Sequence, residues 1–193
     1  LENTNTGVAS GTATLRHICD AVMTGGGAPK IYGHQYTYSG NGGAGTAVTN
    51  LQRRPIISVR AKTTGPNGVR NTGQIEIQQF NVSCIGTNPI FWELVLNPAT
   101  LTGASFAAYD ATRSIADVDL AATALTGGIV LDSGYLASSG SFKGGVTQQA
   151  DDIKQHILSY SGLLNQQDIM TLVCSAPGGN TTAFTSMTWL ERW

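Results

Sequence analysis

The residues that could do chemistry are few, and they lie far apart in the sequence. The three histidines are His17, His34 and His156. None of them has the HxH or HExxH spacing that joins histidines into a metal site. The chain also lacks a GxSxG nucleophile elbow, a phosphate-binding loop and a dinucleotide-binding fingerprint. The sequence therefore predicts no catalytic residue, no metal and no cofactor, and hence a protein that is not an enzyme.

The cysteines are equally dispersed. They are Cys19, Cys84 and Cys174, and no two of them form a CxxC pair. Cys84 and Cys174 lie in apolar strand patterns, where a cysteine behaves as a small hydrophobic residue. We expect two buried thiols there. A Cys84–Cys174 disulfide, or a bridge between subunits through Cys19, is the alternative.

Carboxylates offer the remaining route to chemistry. Asp117 and Asp119 alternate on one predicted strand, so they share a face and could bind Ca²⁺ if Asp110 and Asp132 converged on them. A solvent-facing strand produces the same alternation, and we prefer that interpretation. Two carboxyl groups roughly 5 to 10 Å apart could instead hydrolyse a glycan. Most of the 12 acidic residues, however, fit exposed strand positions.

Aromatic residues are the other binding resource. Tyr32, Tyr36 and Tyr38 share one phase of a predicted strand, next to the glycine-rich loop 39–45. Such a row of rings suits either carbohydrate stacking or a contact between subunits. Trp193 is a fourth candidate contact residue. The other two tryptophans lie in strand patterns and are expected in the core; they are Trp92 and Trp189.

Composition argues against several classes of function. Only 12% of the residues are charged, against about 25% in an average globular domain. The net charge is −1 and the basic residues are scattered, which argues against nucleic-acid binding. No stretch approaches the roughly 18 apolar residues of a membrane span. A surface of small uncharged side chains suits a free monomer poorly, so we expect an assembled state.

The elements that must position these residues are mostly strands. Ile57, Val59 and Ala61 alternate with polar residues, which is the pattern of a half-buried strand. The apolar phase slips by one residue at Gln78–Gln79, which predicts a β-bulge there. In the last strand Trp189 and Glu191 share one phase. Further short strands are expected at residues 31–38, 75–84, 91–96, 104–109, 115–120, 129–131, 135–136, 168–174 and 184–193.

Short strands separated by Gly, Pro and Asn turns predict an all-β fold, an antiparallel, jelly-roll-like β-sandwich with at most one or two short helices. Residues 15–22 have helical spacing, and residues 150–158 fit a helix, a strand or an irregular connection. We divide the chain into an irregular attachment segment, residues 1–50, and the sandwich, residues 51–193. Residues 99–103 and 123–127 echo each other, and we interpret both as strand-to-turn corners.

Three blocks of the chain resemble segments of tailed-bacteriophage virion structural proteins. The first is LQRRPIISVRAK at residues 51–62. The second runs from WELVLNP at residues 92–98 through LTGASF at residues 101–106. The third is LTGGIV at residues 125–130, followed by SGY at residues 133–135, and TWLE at residues 188–191 resembles the ending of those chains.

The resemblance implies a virion component on the particle surface, either a head decoration or head-fibre protein or a tail-fibre or baseplate module. Such proteins commonly form homotrimers or other symmetric oligomers, so it implies a homo-oligomer, with a trimer favoured, and other virion proteins as partners. The alternative is a receptor-binding module for a host-surface glycan or protein. The tyrosine row and the loops at 39–46, 137–147 and 176–182 would then form its contact surface.

Overall fold

Alternating apolar residues organise the chain into two antiparallel sheets packed face to face. In a computed structural model, residues 33–137, 145–149 and 156–193 are described. Within these ranges the chain forms sixteen strands and one short 3₁₀ turn, Gly40–Gly43. The predicted all-β antiparallel sandwich is confirmed. The helix predicted at residues 15–22 lies outside the described residues.

The first sheet has the strand order β1-β16-β4-β11, with β2 also beside β16 and β12 also beside β4. Its strands are β1 (His34–Ser39), β2 (Thr46–Val48), β4 (Gln74–Ile85), β11 (Gly145–Gln149), β12 (Ile157–Leu158) and β16 (Thr181–Arg192). The long central pair, β4 and β16, runs antiparallel over nearly its whole length. These two strands form the centre of the sheet.

The second sheet has the order β10-β5-β15-β3-β8-β7. Its strands are β3 (Arg54–Ala61), β5 (Ile90–Leu96), β7 (Ala107–Ala108), β8 (Ala116–Asp119), β10 (Ile129–Leu136) and β15 (Ile169–Ser175). Two hairpin-sized sheets complete the described part. They are β6 (Thr100–Thr102) with β9 (Ala124–Thr126), and β13 (Tyr160–Ser161) with β14 (Gln166–Gln167).

The first sheet begins earlier than the sequence indicated. Strands β1 and β2 both pair with β16, with Tyr36 opposite Trp189 and Val48 opposite Thr181. Both strands precede residue 51, where we placed the start of the sandwich. Strand β1, which corresponds to the strand expected at residues 31–38, therefore belongs to the sandwich, because β1 and β2 together pair along the edge that the long strand β16 leaves.

The register of the strands tests two local predictions. Thr188 lies opposite Gln79 and Trp189 lies opposite Ile77, so Gln78 is the extra residue and the predicted bulge is confirmed. It keeps the apolar residues on both sides of it in the core. The two echoing segments, interpreted as separate corners, instead pair with each other as β6 and β9, with Leu101 opposite Leu125.

The core lies between the two sheets. Trp189 and Phe80 of the first sheet are fully buried, and the Phe80 ring meets Trp92 of the second sheet edge-on at 5.1 Å. Trp92 is also buried, which confirms the prediction for both tryptophans. A smaller cluster covers the outer face of the second sheet, where the paired strands β6 and β9 pack on it; its residues are Val95, Leu101, Leu125 and Val173.

A buried carboxylate joins the two sheets. Glu191 of β16 has no exposed surface. It accepts hydrogen bonds from Ser114 Oγ at 2.6 Å, from the Ile115 backbone N–H at 2.7 Å and from Trp189 Nε1 at 2.8 Å. Ser114 and Ile115 lead directly into β8 of the second sheet. Charge-assisted bonds of this kind are about twice as strong as neutral ones, so Glu191 fixes the separation of the sheets at this end.

Replacing Glu191→Gln should lower the free energy of unfolding by roughly 2 to 4 kcal/mol, because the amide presents a donor to groups that already donate. Urea unfolding followed by tryptophan fluorescence measures the change. Glu76→Gln is the matched control: Glu76 is also buried, but its partner Arg192 is 42% exposed, so its loss should be the smaller of the two. Equal losses in the two variants would contradict the anchoring role.

Candidate functional site

A cleft opens where the β1 edge of the first sheet faces the β7–β8 edge of the second, and we call it the edge cleft. Its volume is about 340 Å³. Its walls are mainly apolar and aromatic, and Ser105 adds one hydroxyl. The lining residues are Tyr38, Ser105, Ala107, Ala108, Tyr109, Val118, Leu120 and Ala121.

A cluster of aromatic rings lies beside the edge cleft. Tyr109 packs edge-on against Trp189 at 5.0 Å, Tyr36 at 5.1 Å and Tyr38 at 5.5 Å. Tyr109 donates its hydroxyl hydrogen to the Thr37 carbonyl at 3.2 Å, and so bonds the edge of β1 from the second sheet. The Tyr109 ring, which lines the edge cleft, is therefore held by contacts with β1 and β16 of the first sheet.

Burial determines how these phenols behave. Desolvation raises the pKa of Tyr109, and the neighbouring Tyr38, Asp110 and Glu191 raise it further. Desolvation also raises the pKa of Tyr36, with Glu191 and Asp110 adding to the shift. Both groups therefore remain protonated donors well above neutral pH. Tyr36 uses its proton on the Arg113 carbonyl at 2.8 Å.

The four predicted contact residues have different positions. Tyr38 lines the edge cleft, whereas Tyr36 packs beneath it, and both are half-buried. Trp193 is 55% exposed, with its ring 6.2 Å from His34, and lines a separate cavity of about 90 Å³. Tyr32 lies outside the described residues. Of the three that the structure describes, Tyr36 and Tyr38 come together on the Tyr109 ring, and Trp193 lies apart from the edge cleft.

Sequence reasoning missed most of the cleft. Tyr109, Val118 and Leu120 come from segments that are about 70 to 80 residues away from Tyr38. No local pattern reports that the edges of two different sheets meet. The only signal was the apolar phase of the strand that contains Val118.

The acidic pair Asp117 and Asp119 contacts other groups of the protein around this region. Asp117 forms an ion pair with Arg60 at 3.1 Å. Asp119 is buried, which differs from the solvent-facing position that we preferred. Its carboxylate accepts hydrogen bonds from the backbone N–H groups of Ser105, Ala121 and Ala122, the last two at 3.2 Å. It thereby holds the two loops that flank the edge cleft.

Asp110 and Asp132 do not join that pair. Asp110 caps its own turn by accepting bonds from Thr112 and from the Arg113 N–H, and the Thr112 backbone bond is the main cause that lowers its pKa. Asp132 accepts a bond from Ser133 on β10. Over the described ranges, no three His, Cys, Asp or Glu side chains come together as a metal site requires.

The cysteines lie in the core. Cys84 and Cys174 are buried thiols, as predicted. Burial raises the pKa of Cys174, and the nearby Cys84 adds to the shift. A neutral buried thiol is a poor nucleophile, so burial makes the Cys174 thiol unreactive. Cys19 lies outside the described residues.

A second polar surface covers the outer face of the first sheet, and we call it the hydroxyl–amide face. Asn81 donates to Ser186 Oγ at 3.0 Å, and the hydroxyls of Thr37 and Thr188 lie 2.9 Å apart. A shallow pocket of about 240 Å³ opens on it. Its lining residues are Ser39, Gly43, Asn81, Ser83, Phe184, Thr185 and Ser186.

Comparison of the chain with protein-family models, with curated proteins and with solved structures found no match in any of the three. In the part of the chain that the structure describes, no helix has the length and hydropathy needed to cross a membrane.

Replacing Asp119→Ala should lower the free energy of unfolding by roughly 1 to 3 kcal/mol, because buried N–H groups lose their acceptor. Hydrogen exchange should accelerate at the amides of Ser105, Ala121 and Ala122. Asp117→Ala is the control on the same strand, and because Asp117 pairs with the partly exposed Arg60, its effect should stay below about 1 kcal/mol. Unchanged exchange at these amides in Asp119→Ala would rule out the loop-holding role.

Proposed function

We propose that the chain is a structural component of a bacteriophage virion that is exposed on the particle surface and acts through subunit assembly, as a capsid decoration or as a fibre or tail module. One observation supports this proposal most directly. Large apolar side chains are exposed on the edge strand β10, in a chain in which few residues are charged. Exposed apolar side chains on an unpaired edge strand suit a contact with another chain.

Strand β10 has the properties of an assembly edge. It pairs with β5 on one side, and on its other side no strand of the described residues pairs with it. Ile129 is 61% exposed, Tyr135 is 69% exposed, and Val130 lies between them in the chain. Tyr135 stacks on Phe91 of β5 at 4.8 Å, which extends the apolar surface across two strands.

Free monomers protect such an edge with charges, proline or short strands. Strand β10 has eight residues, and Asp132 is its one charged side chain. An apolar edge of this length becomes stable when another chain covers it. Assembly into a symmetric homo-oligomer, with a trimer favoured by the resemblance to virion proteins, supplies that cover.

Replacing Val130→Lys and Tyr135→Lys together should weaken self-association by roughly tenfold or more, because each charge would have to be desolvated in the contact. Sedimentation velocity over a concentration series measures the association. Ala47→Lys, on an exposed position of β2, is the matched control and should associate like the wild-type chain. A wild-type chain that stays monomeric and does not bind capsid or tail would contradict the proposed function.

The location on the particle needs a direct measurement. Antibodies raised against the sandwich should label intact, gradient-purified particles that contain this chain, as seen by electron microscopy. Labelling only after the particles are disrupted would contradict exposure on the surface.

A second candidate is the receptor-binding module, and the hydroxyl–amide face favours it. Its pocket combines the Phe184 ring with the Asn81 amide and the Ser83 and Ser186 hydroxyls, and none of these groups is charged. A sugar needs an aromatic surface together with several neutral hydrogen-bonding groups. A host-surface glycan is therefore the class of ligand that suits this pocket.

Glycan-array binding tests this candidate. Asn81→Ala combined with Phe184→Ala should abolish binding to any glycan that the wild-type chain retains, because the hydrogen-bonding and stacking groups are both lost. Thr37→Ala lies on the same face outside the pocket and should leave binding intact. A wild-type chain without signal on the array or on host cells would remove the glycan candidate and leave the assembly proposal unaffected.

A further inference from the structure

We infer that a hairpin tip of this chain binds a phospholipid surface by inserting two leucines into the outer part of one leaflet. The tip is the connection between β13 and β14, where Leu163 is 95% exposed and Leu164 is 69% exposed. We call these two residues the leucine tip. The inference goes beyond the proposed function and does not depend on it, because a contact with one leaflet requires neither self-association nor a membrane-spanning segment.

The hairpin that bears the leucine tip is attached to the second sheet. Gln167 Nε2 donates a hydrogen bond to the Ala61 carbonyl at 2.6 Å, at the end of β3. Asp168, which follows β14, accepts hydrogen bonds from the Ser159 backbone N–H at 3.0 Å and from the Ser159 hydroxyl at 3.1 Å, on the other side of the hairpin. The two leucines therefore project into solvent from a hairpin that is anchored at its base.

The tip can leave water at little cost. Residues 157–167 contain no charged side chain, so no ion has to be desolvated there. The Tyr160 hydroxyl donates to Asn165 Oδ1 at 3.1 Å, and the Leu164 backbone N–H donates to Ser161 Oγ at 3.4 Å. These polar groups keep their hydrogen bonds when lipid headgroups replace the water around them. The transfer of two leucine side chains out of water therefore dominates the balance.

Groups that favour the lipid–water interface lie at the base of the leucine tip. The Arg70 guanidinium lies over the Tyr160 ring, 5.8 Å from its centroid. It also fills the space beside Gly162, where a Cβ atom would collide with it. Tyrosine rings are enriched at the headgroup level of membranes, and a guanidinium pairs well with phosphate oxygens. Val69, the residue before Arg70, adds an aliphatic side chain that is 59% exposed.

Charge is not the main source of the attraction. Glu76, opposite Ile157 of β12, forms an ion pair with Arg192 at 2.6 Å. The Asp168 carboxylate accepts a hydrogen bond from the Asn97 amide at 3.0 Å, in addition to those from Ser159. These contacts leave no large field of either sign among the described residues around the hairpin. The apolar transfer therefore decides the binding, and the charge of the headgroups changes it little.

The composition of the tip favours lipid over a protein pocket or a glycan. Leucine is under-represented among the residues that dominate protein–protein contacts, where tryptophan, tyrosine and arginine lead. A glycan needs hydrogen-bonding groups, and the leucine side chains have none. Two adjacent aliphatic side chains beyond a tyrosine–arginine pair match the order of groups in a leaflet, in which hydrocarbon lies beneath the headgroups.

Flotation of the full chain with phospholipid vesicles tests the contact. The wild-type chain should bind vesicles of phosphatidylcholine, and equal parts phosphatidylcholine and phosphatidylglycerol should change the partition coefficient by less than about tenfold, because a single free cation contributes little. Leu163→Ser combined with Leu164→Ser should lower the partition coefficient by roughly tenfold or more. Leu51→Ser is the matched control, since Leu51 is 74% exposed and lies outside the hairpin, and it should bind like the wild-type chain.

A fluorescent side chain at the tip gives a second measurement that a folding defect does not imitate. Leu164→Trp keeps an apolar side chain at the tip, so the variant should still bind vesicles. Compared with the wild-type chain, its emission should gain a component that shifts to shorter wavelength on binding and is quenched by brominated acyl chains. Ala47→Trp, at the exposed position of β2, is the control, and its added indole should remain unquenched.

The outcomes separate this inference from the proposed function. A wild-type chain that binds neither kind of vesicle, or a serine variant that binds them as well as the wild-type chain, overturns the lipid contact. If the serine variant instead loses self-association in sedimentation velocity and no chain binds vesicles, the tip is a contact between copies, and the assembly function stands. If the wild-type chain is monomeric and binds no capsid or tail, but Leu164→Trp is quenched by brominated lipid, the proposed function fails and the lipid contact stands.

Discussion

The buried carboxylate of Glu191 is the constraint on which the geometry of the sandwich edge depends. A carboxyl group without contact to water is stable only when hydrogen bonds satisfy its oxygen atoms. Ser114, the Ile115 backbone and Trp189 supply those donors from both sheets. The sheets must therefore keep one separation and one register at this end. Tight apolar packing around Phe80 and Trp92 then completes the core.

The edge cleft is a consequence of that constraint. Because Ser114 and Ile115 lead into β8, their hydrogen bonds to Glu191 also position β7, which pairs with β8. Tyr109 follows β7 and donates its hydroxyl to the Thr37 carbonyl of β1, so this hydrogen bond joins the two sheet edges. Asp119, at the far end of β8, holds the loops that contain Ser105 and Ala121. Two buried carboxylates thus shape a cleft that neither of them lines.

Scarcity of charge gives the surface a common character. The described surfaces differ in chemistry: β10 presents an apolar edge, the β13–β14 hairpin presents leucines, and the first sheet presents hydroxyl and amide groups. What they share is a low cost of desolvation when another molecule covers them, because few full charges lose water. A chain with these surfaces is suited to contacts with copies of itself and with neutral ligands, which is the basis of both functional proposals.

Local sequence patterns were sufficient for the strands and for the bulge at Gln78, because side-chain alternation is a property of neighbouring residues. They also placed Trp92, Trp189 and the two buried cysteines correctly. They did not report that residues 99–103 and 123–127 pair, or that Asp119 is buried, because each depends on which strands lie side by side. The edge cleft is the clearest case. Tyr38 was identified from its row of rings, but Tyr109, Val118 and Leu120 join it only when two sheets close around Glu191, and long-range packing decides that.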